Sequence, residues 1–425
     1  MTVVARSADR LVKRARLLEL LGGRGAEGLI LSSHAAVTWY LDGARTHVSL
    51  MGDPVAAVVV RPGGDEIRVF ENEAERMLAE ELHPDDAAHV TRVPWHEPLL
   101  PVLPSAPTPP VAAAPVAQSA VAARVGSREG AARLGLISEG DVATELRAAR
   151  ASLLPGELGR YRRLGAEVAE VLTDVALAVT PGSSEREAAA VLAGALVARG
   201  IDPVVVLVSG DARVRHRHPL PTDGPLGRRA MLVVCGRRHG LIANATRWVA
   251  WEPAVGPDAE AAGGRGGGVG VVVPAGDAGA AGGRGGGAGL VVTNGASRSA
   301  VGDTERRVLE VEARFFDATV PGATVGEVFA AGVAAYAEAG FEAGEWRRHH
   351  QGGPTGYAGR DPRATFGVDD VVQENHAFAW NPSAPGAKVE DTVLVTSAGI
   401  EPLTDDPRWP VEVVAGRRRP VALRR

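Results

Sequence analysis

The first part of the chain alternates one amphipathic helix pattern with short apolar runs. Between residues 7 and 21, leucine and alanine recur at helical spacing, and two glycines end the pattern. Apolar runs of strand length then follow, separated by turns, at residues 28–33, 54–60 and 67–70. Strands that alternate with helices predict an N-terminal α/β domain over residues 1–150.

The composition changes near residue 98. Residues 98–123 are rich in proline and alanine, and proline lacks the backbone N–H that a regular helix needs, so this segment is predicted to be a surface linker. Farther along, apolar side chains between residues 158 and 175 form one helical stripe. We therefore predict a second domain over residues 151–425.

The second domain contains an internal repeat at a spacing of 140 residues. Each copy has a serine or threonine three residues before a glutamate, which is a capping box, and ends at a glycine. These residues are Ser184, Glu187 and Gly200 in the first copy, and Thr324, Glu327 and Gly340 in the second. The repeat predicts two similar halves around a pseudo-two-fold axis, with a site between them.

A glycine-rich segment, residues 255–290, lies between the two halves and contains the sequence GGRGGG twice. Dense glycines can cradle a phosphate, but neither copy is followed by the lysine and serine or threonine of a phosphate loop. Neither copy stands between a strand and a helix pattern. An inserted segment is therefore the better interpretation.

Composition and charge narrow the functional class. The chain has 425 residues, is 45% hydrophobic and carries a net charge of −5. Its acidic balance argues against a nucleic-acid partner. No apolar run reaches the roughly 18 residues that span a membrane, and no signal-like segment precedes the first helix. With Cys235 as the single cysteine, we expect a cytoplasmic protein with no membrane partner.

The segment 349–396 is unusual because polar residues stand between its apolar runs. It begins HHQGGPTGYAGRD and ends NPSAPGAKVEDTVLVT. Polar groups packed among apolar ones are hydrogen-bonded or functional. We interpret this segment as one wall of an active or binding site.

Several motifs resemble a known family. In chain order they are YLDG, HRHPLPT, GLIANATR, GGPTGY and KVEDTVLVTSAGIEPLT. Together they resemble the pita-bread family of aminopeptidase P, prolidase and creatinase. The resemblance implies an α+β fold of two domains: an N-terminal creatinase-like α/β domain and a C-terminal pita-bread domain with duplicated halves. It also implies a homodimer.

The resemblance implies a site for two divalent metals, but the expected ligands are mostly missing. Peptidases of this family use two aspartates, one histidine and two glutamates. The corresponding positions here hold Val234, Asn244, Gly353, Asn381 and Glu390. Two close cations need several carboxylates to offset their charge, so we expect no dimetal centre and no cofactor. A shifted alignment would restore manganese, cobalt or zinc.

A different metal site is also conceivable in the polar segment. His349, His350 and His376 could combine with Glu374 or Glu390. Against this, adjacent histidines on a strand point to opposite faces of the sheet.

Creatinase, by resemblance, shows that this fold can hydrolyse a C–N bond without metal. His218 matches the family's site histidine, and an imidazole suits a proton shuttle. We predict His218 as general base or acid, with Glu390 orienting it or holding a substrate cation. The predicted substrate-binding residues are Asn244, Arg247, His350, Tyr357, Arg360 and Asn381.

The sequence is compatible with three functions. The first is a hydrolase that acts on a small amide, amidine or dipeptide-like substrate without the usual metals. The second is a metal-dependent Xaa-Pro peptidase with an unusual site. The third is a non-catalytic protein that keeps the fold for binding.

Overall fold

The structure is a computed structural model that describes residues 8–100, 135–252 and 302–425. Residues 101–123 of the predicted linker and the whole glycine-rich insertion, 255–290, lie outside the described residues. The domain boundary near residue 150 stays a prediction. No helix in the described ranges is long and apolar enough to cross a membrane.

The N-terminal part consists of a five-stranded sheet and several helices. Its helices are α1 (Ala8–Arg24), α2 (His34–Tyr40), α3 (Glu71–Arg76) and α4 (Ala143–Ala151). Its strands are β1 (Gly28–Leu31), β2 (Ala56–Val60), β3 (Glu66–Phe70), β4 (Val90–Val93) and β5 (Leu136–Ser138). The strand order is β4-β3-β2-β1-β5. The predicted first helix and the three predicted strands are all present, within a few residues of the expected positions.

The C-terminal part is built on an eight-stranded sheet. Its helices are α5 (Pro155–Ala178), α6 (Glu185–Ala198), α7 (Asp303–Ala318) and α8 (Val325–Glu338). Its longer strands are β6 (Asp202–Ser209), β7 (Arg229–Arg238), β8 (Leu241–Ala250), β9 (Gly352–Thr355), β10 (Ala377–Trp380), β13 (Glu390–Thr396) and β14 (Gly399–Pro402). Its shorter strands are β11 (Ser383–Ala384), β12 (Ala387–Lys388), β15 (Val411–Val414), β16 (Arg417–Pro420) and β17 (Leu423–Arg424).

The order of the large sheet is β6-β7-β8-β13-β10-β9, with β14 beside β13 and β17 beside β8. Strands β8 and β13 are antiparallel neighbours and join the two halves of the sequence. Helices α5 and α6 pack on β6, β7 and β8, whereas the core of the second half joins α7 and α8 to β10 and β13. One face of the sheet is thereby covered by helices, and the other face carries the polar residues described below.

The repeated helix design predicted from the sequence is confirmed. Helices α6 and α8 are both 14 residues long and begin 140 residues apart. Ser184 and Thr324 each complete a capping box with the glutamate three residues later. Gly200 and Gly340 follow these helices with φ angles of 68° and 74°, a backbone conformation that side chains with a Cβ disfavour. The two helices therefore begin and end with the same local interactions.

A buried ion-pair network links the N-terminal helices to the large sheet. The ammonium of Lys13 lies 2.7 Å from Asp42 and 2.9 Å from Glu157. Glu157 also accepts a hydrogen bond of 2.7 Å from the hydroxyl of Tyr357. Because Lys13 and Glu157 are both completely buried, loss of either partner would leave an unpaired charge in the core.

Two helix glycines give a matched test of packing in the two halves. A Cβ on Gly332 in α8 would lie 2.1 Å from the buried ring of Phe315, whereas a Cβ on Gly194 in α6 would meet nothing within 4 Å. We expect Gly332→Ala to destabilise the protein by about 1–3 kcal/mol. We expect Gly194→Ala to stabilise it by up to about 1 kcal/mol, because alanine favours helix. Thermal unfolding checks both, and equal shifts for the two variants would contradict this packing.

Candidate functional site

The polar face of the large sheet is centred on Glu390, the first residue of β13. Its side chain is 2% exposed. The guanidinium of Arg360 donates to one carboxylate oxygen at 2.7 Å, and the ammonium of Lys388 donates to the other at 2.9 Å. Burial alone would raise the pKa of Glu390, but these two cations outweigh it and lower the pKa to about 2. Glu390 is thus a buried, ionised and doubly paired carboxylate.

Strand β8 brings a second row of polar side chains to the same face. The backbone of Thr246 pairs with that of Glu390, and the Thr246 hydroxyl lies 3.5 Å from the Glu390 carboxylate. Asn244 lies two residues earlier on β8, so its side chain points to the same face. On β7, Cys235 pairs directly with Asn244 and also lies on this face. Burial raises the pKa of its thiol to about 12, so the thiol stays neutral.

This register changes one assignment made from the sequence. The family resemblance put Val234 in the position of one metal-binding aspartate and Asn244 in the position of the other. In the structure Val234 pairs with Ala245 and packs into the core on the helix-covered side. Cys235 is the residue that faces the site, because successive strand residues point to opposite faces.

Two asparagines contribute neutral polar groups with spare hydrogen-bonding capacity. The amide nitrogen of Asn244 donates to the hydroxyl of Thr355 at 3.2 Å, and that of Asn381 lies 3.5 Å from the Glu390 carboxylate. The side-chain oxygens of both asparagines are buried and have no hydrogen-bond partner among the described residues. Buried acceptors normally have a hydrogen-bond partner in a folded protein, and these two oxygens do not. Each oxygen is therefore available to accept a hydrogen bond from a ligand.

Three histidines lie together beside this centre, and we call His218, His349 and His350 the histidine group. The Nε2 atoms of His218 and His349 are 3.1 Å apart. The rings of His349 and His350 stack with centroids 4.5 Å apart. Burial, followed by the charge of nearby cations, lowers the pKa of His218, and it lowers the pKa values of His349 and His350 to about 2 and 4.

The composition of this group corrects the sequence-based metal site. His349 and His350 precede β9 and are not strand residues, so the rule that neighbours point to opposite faces does not apply to them. His376 is elsewhere, in a cavity lined by Arg150 and Asp361. The residue that joins the pair is His218, which is 131 positions from His349 in the sequence.

The segments that carry the histidine group are held by polar contacts. Arg217 forms an ion pair with the buried carboxylate of Glu345, which ties the His218 loop to the short 3-10 helix before His349. The side chain of Gln351 donates to the backbone carbonyl of His349 at 2.7 Å. Both histidine-bearing segments therefore have defined positions.

Two predicted substrate-binding residues lie outside the site. Arg247 is on the helix-covered side, where it forms an ion pair with Asp391 at 2.9 Å. The hydroxyl of Tyr357 is bound to Glu157 in the network that joins the N-terminal helices to the sheet. The contacts of both side chains indicate that they stabilise the fold and do not bind substrate.

Arg360 and Asn381 contact Glu390, Asn244 lies on the same face of the sheet, and Glu390 is near enough to affect the pKa of His350. The role of these four residues in binding substrate stays a prediction. Glu390 does not hydrogen-bond to His218, and both of its oxygens are engaged by cations. It is therefore placed neither to orient His218 nor to hold a substrate cation. Sequence reasoning did not assign Lys388 to the site. The sequence feature that could have indicated Lys388 is that it is one of only two lysines in the chain.

Comparison with known proteins identifies the fold. No family model and no curated protein sequence matches the chain. Solved structures do match. The prolidase from Pyrococcus horikoshii OT3 has a TM-score of 0.62 at 14% identity, covering 93% of this chain and 99% of that one. The dipeptidase PepE from Mycobacterium ulcerans has a TM-score of 0.62 at 19% identity, covering 94% of this chain and 96% of that one. The protein has the pita-bread fold.

The same pita-bread fold occurs in a protein whose description names no peptidase. The N-terminal domain of the FACT complex subunit SPT16 from Cicer arietinum (chickpea) matches with a TM-score of 0.53 at 9% identity. The alignment covers 93% of this chain and 95% of that one. Because one fold serves different functions, activity has to be argued from the site.

The residues of this pita-bread protein do not fit the dimetal centre that the family resemblance implies. Asn244, Gly353 and Asn381 cannot supply negative charge, and Cys235 is a neutral thiol. Glu390 is the one carboxylate left among the aligned positions, and Lys388 and Arg360 already bind both of its oxygens. Two further divalent cations would meet like charge and find no free carboxylate.

Loss of the Glu390 charge should destabilise the protein in a pH-dependent way. We expect Glu390→Gln to cost about 3 kcal/mol at pH 7, because Lys388 and Arg360 would be left buried without a counter-ion. The folded pKa is about 2 and the ordinary value is 4.5, so the contribution is fully present above pH 4.5 and lost as pH falls towards 2. Urea unfolding at pH 7 and pH 3 should show the gap narrowing.

A matched control for this measurement is Glu401→Gln. Glu401 pairs with Arg162 at the surface, so its loss should change the free energy of unfolding by no more than about 0.5 kcal/mol. A gap between wild type and Glu390→Gln that stays constant with pH would contradict the assignment of a depressed pKa to Glu390.

Proposed function

We propose that this protein hydrolyses the C–N bond of a small amide or dipeptide-like substrate that carries a carboxylate, at a site without the usual dimetal centre. The observation that supports this most is the convergence of buried polar atoms without partners on a cationic centre. The Nε of Arg360 and the side-chain oxygens of Asn244 and Asn381 are such atoms. They combine donors and acceptors around one carboxylate, as a polar ligand would require.

The charge of the centre favours an anionic group on the substrate. Arg360 and Lys388 are two cations that share one anion, Glu390, so this trio carries a net charge of +1. The buried Nε–H of Arg360 is a free donor, whereas its terminal nitrogens donate to the carbonyl of Gly359 and to Glu390, and a charged N–H donor binds a carboxylate well. The carboxylate of a dipeptide-like substrate would therefore bind at Arg360.

The asparagine oxygens would bind hydrogen-bond donors of the substrate. A side-chain amide oxygen only accepts hydrogen bonds, so the free oxygens of Asn244 and Asn381 suit an amine or an amide N–H. A substrate that carries both a carboxylate and an amine or amide N–H matches these donors and acceptors. The histidine group lies within electrostatic range of the same centre, since Lys388 and Glu390 both affect the pKa of His218.

The histidine group would move the protons of the reaction. In hydrolysis, the oxygen of water attacks the carbonyl carbon, a proton leaves the water, and the nitrogen receives a proton as the C–N bond breaks. His218 is the exposed member of the group and so the one best placed to meet substrate. Its neighbour His349 is buried and fixes the ring of His218 through the contact at 3.1 Å.

A second function, binding without catalysis, is favoured by a different observation. Glu390 is doubly paired, so the residues aligned with the family's metal ligands include no free carboxylate to act as a base. The pita-bread fold is also present in the SPT16 domain, whose description names a complex subunit. In this case the polar atoms would hold a ligand that is not converted.

Removal of His218 should separate these two functions. With alanyl-proline and related dipeptides as probes, we expect His218→Ala to lower kcat/KM at least 100-fold while the melting temperature changes little, because this side chain is exposed. His216→Ala, an exposed histidine in the same loop, is the control and should keep full activity. Wild-type protein that converts none of these probes, but melts at a higher temperature with them, would support binding alone.

The carboxylate preference can be tested on the substrate and on the protein. We expect alanyl-proline to be converted at least tenfold more efficiently than its C-terminal amide, since only the acid can pair with Arg360. Arg360→Gln should raise KM for the acid and leave the value for the amide nearly unchanged. Arg363→Gln, in the same loop with an exposed side chain, is the control. Equal efficiency for acid and amide would exclude this role for Arg360.

A further inference from the structure

We infer that the histidine group is a binding site for one divalent transition metal of the zinc and cobalt type, separate from the positions of the family's dimetal centre. One ligand nitrogen from each of His218, His349 and His350 lies within 4.8 Å of the other two. Neutral imidazoles are common ligands of zinc and cobalt, and three of them are the protein ligands of some catalytic zinc sites.

The distance between two of the nitrogens fits a shared metal. Nitrogens bound to zinc at about 2.0–2.1 Å with tetrahedral angles lie roughly 3.3 Å apart. The Nε2 atoms of His218 and His349 are 3.1 Å apart. The same separation also suits a hydrogen bond between one protonated and one bare nitrogen. Metal binding would replace that proton and keep the two rings close to their positions.

His350 supplies the third ligand from the same cluster of rings. Its ring stacks on that of His349 with an interplanar angle of 26°, and on that of His218 at the same angle with centroids 5.6 Å apart. The Nδ1 atom of His350 is buried and has no hydrogen-bond partner among the described residues. His350 therefore offers a nitrogen that no other described group engages.

The site is largely formed before a metal arrives. The ion pair of Arg217 with Glu345 fixes the two segments relative to one another, and Gln351 binds the carbonyl of His349. Metal binding therefore costs little free energy for ordering these residues.

The surrounding charges set the strength and the character of the site. Lys388 and Arg360 lie close enough to lower the pKa values of the histidines, and Glu390 offsets one of these two charges. A divalent ion would feel the remaining repulsion, so we expect weaker binding than at a closed structural zinc site. Three protein ligands also leave a fourth position open to water or to an anion.

This inference deepens the proposed function: with its nitrogen bound to an ion, His218 could no longer take up a proton, so the ion would replace it in activating water beside the substrate. Its role rests on that proposal, whereas the binding itself does not. The two are therefore tested by different measurements.

Cobalt alone is the probe, titrated into untagged, full-length, metal-free protein. We expect one equivalent to bind, with the intense visible absorption of tetrahedral cobalt ligated by nitrogen, and with affinity measured by calorimetry. His350→Ala and His218→Ala should each weaken binding at least tenfold and abolish that absorption. His216→Ala, in the same loop as His218, should bind cobalt as the wild type does. Circular dichroism and melting temperature confirm that each variant is folded.

Three results would overturn the inference: no cobalt bound by folded wild-type protein, cobalt bound equally well after either histidine substitution, or two equivalents lost on Glu390→Gln. The last of these would place metals at the usual dimetal positions. Cobalt binding with no turnover of any dipeptide would keep the metal site and reject the proposed hydrolase, so the two failures are distinguishable.

Discussion

The ion-paired carboxylate of Glu390 is the constraint on which the site depends. A buried carboxylate is tolerated only when opposite charge surrounds it, and here Arg360 and Lys388 provide that charge. Two divalent metals would need several anionic ligands, whereas two monovalent cations need only one or two. Neutral Asn244 and Asn381 beside one remaining glutamate are therefore electrostatically consistent. The protein has side-chain cations at a centre where the family resemblance implies metal ions.

The two halves of the large sheet contribute unlike residues to this centre. Strand β8 of the first half brings Asn244 and Thr246, while the second half brings Asn381 and Glu390 on and beside β10 and β13. The histidine group is likewise assembled from a loop of each half, joined by the Arg217 and Glu345 pair. Substitutions on the polar face of the sheet can change the chemistry of a site between duplicated halves. They leave the packing of the helix-covered face intact.

The fold involves nearly the whole chain, whereas the function depends on a few side chains. The likeness to prolidase structures spans most of the chain, and it shows the fold alone because the identities are low. The proposed function rests on the charge and the free hydrogen-bonding groups of the site, because a shared fold does not imply a shared activity. The pita-bread scaffold positions these groups, and their chemistry limits which ligands could bind.

The sequence by itself determined the local structure: the first helix, the strands that follow it, both capping boxes and the two left-handed glycines. Such features depend on residues within a few positions of one another, so a linear pattern contains them. Tertiary structure decided the contacts over long separations. These include the pairing of His218 with His349, the choice of Cys235 rather than Val234 for the site face, and the placement of Tyr357 and Arg247 in the framework. A shift of one residue in strand register reverses which side chain faces the site, and no spacing in the sequence records that register.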